Sequence, residues 1–261
     1  IEADELERGC QVATPNYFQN HFTLGTKVSL LISSKHPMIQ NQRVRIHLGT
    51  QEVMARVALL DRKSIDPGDD GPVIFRLESP LVASIADKFI IRLYSPVITI
   101  GGGEIIETEL SGKWKDNKEK INHLYHLNDD EKFRYLIGSE AGKPITKSNL
   151  GLRLGLSTEK IDSIVSQDSQ LKWIKHKTST WLVTLEQINI LAQNLIEFLK
   201  KYHKKNPYKA GAQKEEIRQF LKADDYFCDY LFRLLSDEDK IKSVNDKWAL
   251  CEFSIQLSDV E

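Results

Sequence analysis

Cysteine is scarce: Cys10, Cys228 and Cys251 are the only three in 261 residues, an odd number, far apart and with no C-x-x-C spacing. That excludes a disulfide framework and a cysteine-ligated zinc site, and fits a reducing, cytoplasmic setting. No apolar run approaches the roughly 18 residues of a membrane span. No signal peptide is visible, and Ile1 is not an initiator residue, so the sequence reads as part of a longer chain. No G-x-x-x-x-G-K-[ST] loop, NKxD or DxxG element is present, so no GTPase domain is expected and no enzyme activity. No catalytic Ser/His/Asp set or reactive-cysteine setting stands out, and His123, His126 and His203 lack the spacing of metal ligands. The net charge of −1 gives no global basic field.

What is present is organised around Lys88–Glu107, KFIIRLYSPVITIGGGEIIE. Two β-branched runs flank Ser95-Pro96 and lead into Gly101-Gly102-Gly103. A phosphate cradle is one reading, but no Lys-Ser/Thr and no helix follow the glycines. The other reading is a structural corner or bulge, formed by Pro96 and Gly101, Gly102 and Gly103, where a barrel closes. Before it, Arg43–Leu48 alternates strictly between polar and apolar, turns at Gly49-Thr50-Gln51, and pairs with Glu52–Leu60 as a hairpin. Val73–Leu77 is a further strand ending at Pro80, and Leu81–Asp87 reads as a connection. About six strands without intervening helices predict a small antiparallel barrel.

From Leu110 the period becomes helical. Trp114–Leu127, Asp129–Ile137, Thr146–Leu154 and a helix from Ser157 precede strands at Leu171–Lys175 and Thr180–Val183. The order repeats: helices at Leu185–His203, Gln213–Leu221 and Asp224–Leu235, then a hairpin around Asn245-Asp246. This is the winged-helix pattern twice. The fold class is therefore multidomain β + α: a small antiparallel β-barrel followed by two tandem winged-helix domains. The divisions expected are 1–18, the tail of a preceding domain or a linker; 19–110, barrel; 111–184, first winged helix; and 185–261, second. Lys+Arg minus Asp+Glu is −3 over 1–110, +4 over 111–184 and −2 over 185–261, so only the middle segment is basic.

The wording of these segments resembles a known family. Arg43–Thr50 (RVRIHLGT), Glu52–Asp61 (EVMARVALLD), Pro67-Gly68, Arg76–Pro80 (RLESP) and Phe89–Gly103 (FIIRLYSPVITIGGG) resemble domain III of elongation factor Tu-type GTPases. Within that group they resemble the SelB family of selenocysteine-specific elongation factors. Tyr202–Pro207, Gly211 and Glu215–Arg218 are similar to a phrase of that family's second winged helix. The resemblance implies delivery of selenocysteine tRNA to the ribosome at UGA codons directed by an mRNA hairpin. It implies a tRNA-facing barrel and a winged-helix spacer, with GTP and Mg confined to a GTPase domain that this sequence lacks, leaving no cofactor here. It also implies that the mRNA hairpin is met only through further C-terminal winged helices absent from this sequence. Two other readings stay open: a winged-helix nucleic-acid-binding regulator with a β-barrel sensor domain, and a ribosome-docking interaction scaffold. No membrane partner is expected.

Candidate RNA contacts follow. Arg43, Arg45 and His47 share one face of a strand and either neutralise phosphates or form a solvated barrel face. Arg92 either reaches RNA or pairs with Glu104 or Asp87. Tyr94 reads as core or corner packing. Lys172, Lys175, His176 and Lys177, interleaved with Trp173 and Trp181, make a basic wing, or two core tryptophans with solvated lysines. The helices Ser157–Gln167 and Asp224–Leu235 are too acidic to read a groove. Lys200, Lys201, Lys204 and Lys205 form the densest basic run, at a helix C-terminus where cations also complement the helix dipole.

Overall fold

The computed structural model describes residues 9–10, 19–60, 62–110, 112–138, 142–176 and 179–254. The expected leading segment 1–18 lies outside them except for Gly9 and Cys10. The chain forms two compact units, one of residues 1–132 with 150–157, the other of 133–149 with 158–261.

The first unit is built on a closed barrel. Its strands are β1 (Asn20–Leu30), β3 (Arg43–Leu48), β4 (Gln51–Leu59), β6 (Asp70–Val82), β7 (Lys88–Leu93) and β8 (Thr99–Glu107), in the order β1-β6-β4-β3-β7-β8. Every neighbouring pair is antiparallel, and β8 closes onto β1. A two-stranded ribbon, β2 (Met38–Ile39) with β5 (Ser64–Ile65), lies outside this order. The alternation in β3 puts Val44, Ile46 and Leu48 into the core with Phe75, Phe89 and Ile91. The β3–β4 turn is the two-residue link Gly49-Thr50, which sets Leu48 opposite Gln51 and Arg43 opposite Arg56.

One expectation changes and one is narrowed. The strand expected to end at Pro80 runs on as β6 to Val82. Its pairing with β1 jumps from Thr23↔Arg76 to His21↔Leu81, and Pro80 sits in that irregular stretch, where no ladder donor is required of it. The glycine triplet is in the strand that closes the barrel, with a register shift beside Gly101 (Ile91↔Gly101, then Arg92↔Thr99), so it marks a bulge and not a corner. It lies inside β8 and is paired on both sides, Gly101 with Leu30 and Ile91, Gly102 with Ser29 and Ile90, Gly103 with Val28 and Phe89. Pro96 alone is in the turn between β7 and β8. A Cβ on Gly101 would stand 2.5 Å from the Ser29 carbonyl oxygen, and one on Gly102 2.7 Å from that of Phe89. Glycine is thus required by close backbone approach.

Helix α1 (Trp114–His126) packs on β1, β6 and β8. Ile121 fills the space above Gly25 that a side chain there would occupy. The anchor is Glu107, with a fully buried side chain. It accepts Arg153 Nη2 at 2.8 and 2.7 Å, Lys120 Nζ at 2.5 Å, and the backbone N–H groups of Thr108 and Glu109 at 2.9 Å each. Burial pushes its carboxyl up, but Arg153 and Lys120 together outweigh this and hold it below the ordinary range.

Two copies of one topology follow in the chain, the second wholly within the second unit and the first with residues 129–132 and 150–157 in the first unit. After α2 (Asp129–Gly138) come β9 (Ile145–Thr146), α3 (Lys147–Leu154), α4 (Thr158–Gln167), β10 (Leu171–His176) and β11 (Ser179–Thr184), with sheet order β10-β11-β9. Then α5 (Leu185–Lys205), β12 (Ala212–Gln213), α6 (Lys214–Leu221), α7 (Asp225–Asp237), β13 (Ile241–Val244) and β14 (Lys247–Leu250) repeat it, with sheet order β12-β14-β13. The short third strands, β9 and β12, are too brief to show in the sequence. Helix α5 starts at a capping box in which the Thr184 hydroxyl accepts from Gln187 N–H and Gln187 accepts from Thr184 N–H, at 3.0 and 2.8 Å.

One apolar core runs through both copies, from Ile174 and Val183 through Leu195, Leu199 and Phe227 to Leu250. Trp181 stacks on Tyr226 at 3.9 Å between ring centroids, Asp224 N–H donates to the Gly142 carbonyl at 2.9 Å, and Tyr226 hydroxyl reaches the Pro144 carbonyl at 3.3 Å. His203 is buried. It stacks on Phe253 at 3.7 Å and accepts Leu250 N–H at Nε2, and burial first and Lys242 second lower its pKa.

Candidate nucleic-acid interface

Because residues directly opposite in a sheet share a face, the barrel registers assemble a cationic surface from separate strands. Arg43 lies opposite Arg56, and Arg56 opposite Arg76, across β3, β4 and β6. Arg45 lies opposite Arg92 across β3 and β7. His47 follows on the same face beside the exposed Ile90. Like charges side by side repel, and two carboxylates interleave them. Glu78 accepts Arg43 Nε and Nη2 at 2.9 and 2.6 Å and lies 3.7 Å from Arg56 Nε. Glu52 accepts Arg45 Nη1 and lies 3.7 Å from His47 Nε2. These bonds, first in each case the one from the arginine, hold both carboxyls below their ordinary range.

Tyr94 is not core. It is 47% exposed, with the Arg43 guanidinium 4.6 Å and the Arg45 guanidinium 5.5 Å from its ring centre. Arg92 does not pair with Glu104 or Asp87. Its Nη2 donates to the Val97 carbonyl at 3.3 Å, while Asp87 accepts Ser84 N–H at 2.8 Å. Arg76 lies over the Trp114 ring at 4.5 Å. Five arginines against two glutamates leave a cationic excess. Each guanidinium has five N–H groups, and the bonds to Glu78, Glu52 and the Val97 carbonyl use only one or two on each of Arg43, Arg45 and Arg92. Planar donors held by carboxylates and a ring suit phosphate. Sequence alone does not single out Arg56 and Arg76. The two-residue turn at Gly49-Thr50 carries the signal for Arg56, since it fixes the hairpin register.

Of the expected basic wing, Lys172 and Lys175 are described in full. Lys172 and Lys175 are three residues apart on β10, so they leave opposite faces. Lys172 Nζ lies 5.6 Å from the Tyr230 ring centre, and Trp181 is taken up by Tyr226. Lys175 is exposed. Lys177 and the His176 side chain lie outside the described residues. Helix α4 carries Asp162 on Lys147, and Asp168 beyond it holds Arg134 at 2.5 Å.

Among the described residues no three His, Cys, Asp or Glu side chains gather as a metal site, and no helix is long and apolar enough to cross a membrane. The triplet Gly101–Gly103 does not fit a nucleotide phosphate, because neighbouring backbone from β1 and β7 fills the space on it.

The family description "Selenocysteine-specific elongation factor, beta-barrel domain" matches residues 25–111, and "Elongation factor SelB, winged helix" matches residues 196–250. Together they take in just over half of the chain. The chain belongs to the SelB family. A selenocysteine-specific elongation factor of Desulfomicrobium baculatum is 26% identical over 232 residues, covering 83% of this chain and 35% of that relative. One of Haemophilus influenzae is 19% identical over 241 residues, covering 90% and 38%. The crystal structure of a bacterial selenocysteine-specific elongation factor EF-Sec shares the fold with a TM-score of 0.63 at 17% identity, covering 96% of this chain and 38% of that one. The chain thus spans little more than a third of the SelB-family relatives it matches. The matched family regions are the barrel and a winged helix.

Proposed function

We propose that the chain is the part of a selenocysteine-specific elongation factor that holds selenocysteine tRNA against the outer face of the barrel and carries a double winged helix after it in the chain. The observation that supports the tRNA contact is the set of arginines at 43, 45, 56 and 92 beside the exposed Tyr94, aligned by strand register and held by Glu52 and Glu78. A backbone-reading surface needs fixed guanidinium planes with donors to spare, and this face has both. Delivery to the ribosome at UGA codons would use this contact while the nucleotide chemistry resides in a GTPase domain outside this sequence.

The test is ultraviolet crosslinking and filter binding with selenocysteine tRNA and an ordinary elongator tRNA. We expect crosslinks to residues 43–56 and 92–94, stronger with selenocysteine tRNA. R43A/R45A/R92A should weaken binding about tenfold or more, with a shallower salt dependence. Crosslinks absent from the barrel, with the triple variant binding normally, would sink the proposal.

A further inference from the structure

The acidic helices α4 and α7 leave the winged helices without a groove-reading element, yet the second copy carries a cationic face elsewhere. Lys200, Lys201, Lys204, Lys205 and Lys209 are all exposed, and no acidic residue occurs from Phe198 through Gln213. None of the five pairs with a carboxylate among the described residues, whereas nearby Lys214 holds Asp225 and Asp229 and Arg218 holds Glu215. At about 100° per residue the four helical lysines cover roughly 140° of α5, on the side away from buried Leu195 and Leu199. They form two rows, 200/204 and 201/205, each advancing about 6 Å along the helix, on the scale of successive phosphates along a strand.

The helix dipole accounts for part of this. Its effect fades beyond the last turn, which holds Lys204 and Lys205. Lys200 and Lys201 lie a turn earlier, and Lys209 follows the helix in the turn closed by Lys209 N–H on the Asn206 carbonyl at 3.1 Å. Like charges at i, i+4 destabilise a helix, so the cluster is unfavourable in the free protein. Between Pro207 and Lys209 stands Tyr208, 68% exposed. A second exposed ring, Phe220 (50%), packs on Phe198 at 4.8 Å between ring centres, beside the Lys201/Lys205 row. Its face is taken up by Phe198, so Tyr208 alone stands clear as a base-stacking ring, too few for a single-strand platform, and two exposed rings are little apolar surface for a membrane. Two rows of cations spaced like successive phosphates suit a duplex, which is read through its backbone and shape.

We infer that the C-terminal half of α5 and the turn to Lys209 form a second RNA-binding surface, separate from the barrel, that takes the phosphate backbone of an RNA helix without regard to sequence. The second winged helix is then a contact element as well as a connector.

The test uses the whole chain and a fluorescein-labelled 16-base-pair RNA duplex of arbitrary sequence, titrated at several salt concentrations. K200Q/K201Q/K204Q/K205Q should raise Kd about tenfold or more near 0.1 M salt and reduce the slope of log K against log[salt] by about 0.9 for each phosphate no longer neutralised. K35Q/K63Q/K88Q/K115Q removes four exposed lysines from the first unit and should leave both values nearly unchanged. Both variants are measured also on an R43A/R45A/R92A background, so a duplex held by the barrel arginines cannot mask the α5 contact and the outcome is separable from the tRNA proposal. Circular dichroism will show that the folds are intact. Unchanged affinity and slope in the α5 variant, equal weakening in both variants, or displacement of the RNA by polyglutamate or phosphatidylserine vesicles at matched charge would overturn the inference.

Discussion

A methyl group at Gly103 would meet the Lys27 carbonyl on one side and the Phe89 ring on the other. Because the first obstacle is backbone in a paired strand, the sheet itself has to move. We expect Gly103→Ala to destabilise the first unit by about 3 kcal/mol, the upper end of ordinary overpacking, read as a lower urea midpoint with tRNA affinity falling only in proportion to the unfolded fraction. The triplet is visible in the sequence as unusual, and its dismissal as a phosphate loop follows from missing neighbours. That it runs through the middle of a strand is not visible there, because the reason lies in β1 and β7, some seventy and ten residues away.

Elements with a strong period are legible. β3, α5 and the two hairpins have the patterns that specify them, and the Gly49-Thr50 turn contains the register that lines up Arg43 with Arg56. Elements defined by a partner are not: β9 and β12 are two residues each, and the lysines of β10 read as one patch until alternation separates them. Helix α1 is legible as a helix at Trp114–Leu127, and only its packing partner is not. Its spacing shows an apolar face, but only Glu107 shows what that face is pinned to. Glu107→Gln leaves Arg153 and Lys120 without their buried counter-charge, and we expect a destabilisation of about 3–5 kcal/mol together with increased hydrogen exchange in α1. The same anchor sets a pH dependence. The Glu107 carboxyl is depressed in the fold relative to an ordinary 4.5, so the unfolded chain binds the proton more readily. Its stabilisation is complete above about pH 4.5 and is lost as pH falls through the folded value. Thermal melts from pH 6 to pH 3 should show this acid loss in the wild type and a flatter profile in Glu107→Gln.

At the scale of the molecule, the sequence leaves open whether the two winged helices are packed or hinged, and the structure joins the wing of the first to the second. The Trp181–Tyr226 stack and the Gly142–Asp224 bond couple a loop and wing of the first copy to the α6–α7 region of the second, over a shared core. Trp181→Ala should cost about 3 kcal/mol, the low end for tryptophan truncation. Hydrogen exchange should show α7 losing protection together with β10 and β11. Loss confined to the first copy would mean the copies unfold independently.

Thr184 is both the last residue of β11 and the N-cap of α5, so strand passes to helix with nothing between. The junction therefore acts as a phase setting. One residue inserted there would either dismantle the cap or turn α5 by about 100° about its own axis, carrying the lysine rows out of the direction they now face and pulling Leu195 and Leu199 from the core. Length at this point is fixed by rotation, and insertions would be accepted only where the turn can be absorbed, as in the stretch between Asn206 and Gly211.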